Sequence, residues 1–142
     1  MGETAAVAVA VWLIVLSAFD VRQRRLPNRL TLPGAAVILA AAAVTGHGAA
    51  AALGALALSG IYAAVHLAAP GSLGVGDVKL ALGLGALTGA FGPDVWVLAV
   101  MGSSLLTCAA VLCQLVRGGA TSVPHGPSMC LAAGAAVAVA VI

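Results

Sequence analysis

The chain has 142 residues, of which 63% are hydrophobic and only 7% charged, and its mean hydropathy is +1.18. Soluble domains carry charge on about a quarter of their residues, so this composition excludes a water-soluble globular protein and points to a membrane protein. The net charge of +2 comes from four acids and six bases; where each one falls says more than their sum.

A bilayer core about 30 Å thick takes roughly 17–25 apolar residues per helix. Runs of that order, separated by polar or Gly/Pro breaks, predict six membrane helices in an all-α bundle forming one domain over residues 1–142. The first runs from about Gly2 to Phe19. It is flanked by Glu3 on its leading side and by arginines only afterwards, the wrong polarity for a cleaved secretory signal. The second is expected over Leu30 to Gly46, with Pro27 disfavouring helix at Leu26 and Asn28 placed to cap the re-entry. The third covers Ala49 to Ala69. The fourth, Val78 to Phe91, is short, and Gly85 and Gly89 on it form a small-xxx-small pair that lets a neighbouring helix approach closely. Gly92, Pro93 and Asp94 read as a turn into the fifth, Val95 to Val116, and the sixth spans Pro127 to Ile142. Cys108, Cys113 and Cys130 lie in apolar stretches without CxxC spacing, which fits neither a disulfide framework nor a zinc site.

Cytoplasmic loops retain Lys and Arg. With the amino terminus outside, Arg22, Arg24, Arg25, Arg29, Lys79 and Arg117, every base in the chain, fall on the cytoplasmic side, whereas Glu3, His47 and Asp94 fall outside. Asp20 and Asp77 are two crossings apart and therefore reach the same face. An ionisable group near the bilayer costs several kcal/mol unless paired or wet and is a functional candidate by default. The bland alternative is that Asp77 caps the fourth helix and Asp20 pairs with Arg22. Against it, a carboxylate at the carboxyl end of a helix opposes the macrodipole. Gly74 and Gly76, just before Asp77, are expected to offer backbone conformations closed to other residues and room for a peptide. Two close aspartates hold one proton between them, so that one acts as general base on water and the other as general acid to the leaving amine, with no metal or other cofactor required. The dipoles assign the base to Asp77 and the acid to Asp20.

Three motifs carry a resemblance: Asp20 with Leu26, Pro27 and Asn28; Gly74, Gly76, Asp77 and Lys79; and Pro124, Gly126 and Pro127. In this order they resemble the type IV prepilin peptidases, membrane aspartyl proteases of the GxGD class. The resemblance implies a helical bundle in the cytoplasmic membrane with its site open to the cytoplasm. It makes Asp20 and Asp77 the catalytic pair, with Gly74, Gly76, Lys79, Pro124, Gly126 and Pro127 shaping the site or binding substrate. The implied partners are prepilins or pseudopilins with basic leader peptides. Longer bifunctional members carry a loop with paired cysteines and a methyltransferase activity; nothing in these 142 residues corresponds to that loop, so peptidase activity without methylation is expected. His125 stands where that family usually has an aromatic residue, and is expected to be a neutral surface histidine. His66 is read as a helix-packing residue. The arginine cluster from Arg22 to Arg29 is a positive-inside signal that can also hold anionic lipid head groups, not a nucleic-acid site. The alternative from another class is a non-catalytic scaffold or small transporter subunit using the aspartates as ion-pair or proton-carrying groups; transporters more often place acids at mid-membrane and show internal repeats.

Overall fold

In lipid the backbone has no water to bond, so a spanning chain satisfies its N–H and C=O groups within helices. A computed structural model describes residues 2–119 and 122–142. Among these residues there are six helices and no strand: α1 (Glu3–Gln23), α2 (Asn28–Val44), α3 (Gly48–Ala68), α4 (Val75–Ala90), α5 (Pro93–Val116) and α6 (Gly126–Val141). The predicted helix count and order hold. Three of them, α1, α3 and α5, are long and apolar enough to cross a membrane by length and composition. The 16 residues each of α4 and α6 reach only about 24 Å at 1.5 Å per residue, short of a full bilayer core.

Two helix limits differ by three residues or more from those expected, and the others fall within two. The first helix continues past Phe19 to Gln23, so Asp20 lies within its last turn; Arg24 then stops it in the left-handed region (φ 49°), its N–H bonded to the Asp20 carbonyl at 2.9 Å. The fourth begins at Val75, three residues early, so Gly76 and Asp77 belong to its first turn. At the opposite end Gly92 turns the chain at φ 119° and Pro93 opens α5, where its missing N–H costs nothing.

Many large apolar side chains face outward: Val7, Val11 and Ile14 on α1, Leu53 and Leu56 on α3, and Leu105 and Leu112 on α5 are all exposed. The interior mixes alanines and glycines with a leucine core that includes the fully buried Leu16, Leu80 and Leu84. The central helix is α4, packed against α2, α3, α5 and α6 and buried almost continuously from Leu80 to Gly89. Its closest neighbour is α3. A Cβ added at Gly54 would lie 2.8 Å from the Gly89 Cα, and one at Gly85 would lie 2.9 Å from the Ala55 Cα, so the expected small-residue seam joins two backbones directly. From α5, the Trp96 indole N–H donates to the Gly54 carbonyl at 3.1 Å, beside that seam. By contrast α1 leans on α6 and only lightly on α2. An apolar groove of about 310 Å³ opens between α1 and α2 beside Trp12 and Pro33. Helix alternation brings the carboxyl ends of α1, α3 and α5 and the amino ends of α2, α4 and α6 to one end of the bundle, and all six basic residues lie there.

Candidate active site

The three motifs meet at that cation-rich end. From the last turn of α1, the buried Asp20 carboxylate accepts the main-chain N–H of Gly126, the first residue of α6, at 3.0 Å. These residues are 106 positions apart in the chain. A Cβ on Gly126 would collide with the Asp20 carboxylate, so this approach needs glycine. Pro127 follows at the second position of α6, where no N–H is needed, and Pro124 precedes the turn. Both prolines frame Gly126 and do not line the cavity described below.

The first and second motifs are tied at two points. Leu26 is buried against Gly76, with 3.3 Å between its Cβ and the place a Gly76 Cβ would occupy. Lys79 Nζ donates to Asn28 Oδ1 at 2.8 Å, pinning the start of α4 to the start of α2. Asn28 is therefore not the helix cap expected of it: Pro27 holds that position and its carbonyl takes the first N–H groups of α2. The expected glycine conformations are absent as well. Gly74 is extended (φ −79°, ψ 156°) and Gly76 is helical, both accessible to any residue. The room around Gly74 is real: the nearest side-chain atom to its missing Cβ is Asp77 Oδ2 at 3.8 Å.

Asp20 and Asp77 line one cavity of about 280 Å³, with Arg24, Arg25, Lys79 and the Gly74–Gly76 segment. That is several times the share of one water, about 30 Å³, enough for a peptide link and a water side by side. Asp77 is partly buried in the first turn of α4, its N–H donating to the Gly74 carbonyl at 3.2 Å. The expected dipole contrast between the aspartates does not hold. The amino end of α6 points at Asp20 as that of α4 does at Asp77, so both carboxylates sit at helix amino termini.

Side chains to which sequence reasoning gave little weight hold the loops. The Arg24 guanidinium donates to Ser122 Oγ at 2.5 Å and to the Ser122 carbonyl at 3.1 Å, tying the end of α1 to the approach to α6. His66 Nδ1 lies 2.6 Å from the Leu73 carbonyl, next to Gly74; it touches the loop, not the aspartates. His125 is not a surface histidine. It is partly buried, with Nε2 at 2.6 Å from Tyr62 Oη and Nδ1 at 2.5 Å from Thr107 Oγ1. Burial pushes its imidazole below the usual value, so the ring is neutral near pH 7. The sequence held no signal for this arrangement at Tyr62, which lies 63 residues before His125. Neither Thr107 nor Ser122 had any.

A sequence profile of the type IV leader peptidase family matches residues 7–142. The chain belongs to that family. The match extends from within α1 to the last residue and so includes all three motifs. It brings the general activity, removal of leader peptides by a peptidase, and agrees with the multi-pass helical architecture. No curated protein and no solved structure matched the chain.

Proposed function

We propose that this leader peptidase is an aspartyl endopeptidase that cuts the basic leader from type IV prepilin-like or pseudopilin precursors at the cytoplasmic face of the cell membrane. The observation carrying this reading is that Asp20 and Asp77, from helices two crossings apart, line one polar cavity at the end where every base lies. By the positive-inside rule that end faces the cytoplasm.

The reaction needs a nucleophilic water and a protonated leaving group. With one proton shared between the carboxyls, the ionised one takes a proton from water as its oxygen attacks the scissile carbonyl carbon. The C–N bond then breaks as the other carboxyl protonates the departing amine, and the pair regains its single proton. Because each carboxylate faces a helix amino terminus, the dipoles favour neither as the base, and the assignment of base and acid follows the substrate's position. The open flank at Gly74 gives an extended peptide its approach, beside the Asp77 carboxyl.

The test is direct. Asp20→Asn and Asp77→Asn should each lower cleavage of a prepilin precursor by at least about a thousandfold, in the range expected for losing a general acid or base, while both proteins remain inserted in the membrane. Normal processing by either variant would overturn the two-aspartate mechanism.

A further inference from the structure

The turn that brings Gly126 to Asp20 has an anchor of its own. His125 immediately precedes Gly126 and takes the N-cap position of α6, its carbonyl accepting the Met129 N–H at 3.1 Å. Its ring reaches away from the cavity and spans two other helices, bonding Tyr62 on α3 and Thr107 on α5. The Tyr62 and His125 rings also pack together, with centroids 5.6 Å apart.

The chemistry of this bridge is specific. A neutral imidazole offers one N–H and one lone pair on opposite sides of the ring, and each hydroxyl can donate or accept. One hydroxyl therefore donates to the bare nitrogen and the other accepts from the protonated one. All three polar groups are satisfied, as they must be in an interior with little water. A ring held at both nitrogens cannot swing, and a single residue link separates it from the N–H on Asp20.

We infer that His125 is a positioning residue: Tyr62 and Thr107 hold its ring so that the Gly126 N–H, and through it the Asp20 carboxylate, stays in the geometry required for cleavage. The inference rests on Asp20 acting in the reaction as proposed above. It makes α3 and α5, which contribute no side chain to the cavity, responsible for the setting of one of its two carboxylates. The effect falls on the chemical step, because His125 does not reach the space open to substrate.

Steady-state cleavage of a prepilin precursor by the full-length protein in liposomes tests this. His125→Phe keeps the ring and loses both hydrogen bonds; it should lower kcat at least about tenfold, since a displacement on the order of 1 Å can cost about a hundredfold, with KM within about twofold of wild type. His125→Gln, whose amide supplies a donor and an acceptor, should recover part of the loss. Tyr62→Phe and Thr107→Val should each lower kcat in the wild-type background and add less than about twofold in the His125→Phe background. Wild-type kcat in His125→Phe would overturn the inference, as would losses that simply multiply across that cycle. If Asp20→Asn is inactive while His125→Phe is fully active, the positioning role fails and the two-aspartate reading stands. An active Asp20→Asn removes both. If His125→Phe does not fold, the single Tyr62→Phe and Thr107→Val variants decide: unchanged kcat in both overturns the inference.

Discussion

Asp20 and Asp77 face the same cavity, yet the protein holds them by opposite means. Asp20 is buried, with a main-chain N–H from another helix on its carboxylate and no space for even one methyl group at Gly126. Asp77 is only partly buried, and its surroundings are local: the turn from Gly74, and beside Gly74 an open flank. One carboxylate is fixed from afar by the bundle, and the other stands where a peptide can pass. Under the proposed mechanism a two-carboxyl site needs both properties, since water must be aimed and substrate must enter. Here they are divided between the two residues.

The sharpest way to break that division is to add one methyl group on each side. Gly126→Ala should lower kcat about a hundredfold by driving the Asp20 carboxylate from its seat, whereas Gly74→Ala should act chiefly by raising KM several-fold, because it fills only the approach. Kinetics of the two variants on one precursor measure this, and equal kcat losses would end the distinction. A smaller effect is expected from His66→Phe, which removes the bond to the Leu73 carbonyl. It should lower kcat/KM about fivefold and speed amide exchange around residues 71–76, in keeping with about 1 kcal/mol for one hydrogen bond. Smallest is Arg24→Gln, expected to cost about threefold in kcat through the loss of its fork on Ser122; full loss of activity would instead mean that Arg24 meets the substrate.

The helix count, the side on which the cations lie and the meeting of Asp20 with Asp77 were legible in the sequence because charge is so scarce. With only ten Asp, Glu, Lys and Arg side chains in 142 residues, each sits where water or a partner permits, and parity of crossings does the rest. Helix ends were read less well at Phe19 and Val78. Hydropathy marks where the apolar run stops, but the helix continues wherever the backbone still bonds itself, as it does through Asp20 and back to Val75. The anchoring of Gly126 on Asp20 and the ring of His125 between two hydroxyls were not legible. Such contacts join positions from 18 to 106 residues apart, and they obey no helical period. Gly76 misled for a related reason: a glycine needed because Leu26 presses against it looks, in sequence, like one needed for its backbone freedom.

The seam between α3 and α4 bears on how this protein tolerates change. Gly54, Gly85 and Gly89 bring two main chains together with no side chain between them, so the height and rotation of α4 are referred to peptide groups, which every substitution preserves. The outward Leu, Val and Ile residues can therefore be exchanged to suit a thicker, thinner or more fluid bilayer without moving Asp77. A new Cβ within the seam would displace the helix, and with it one wall of the cavity.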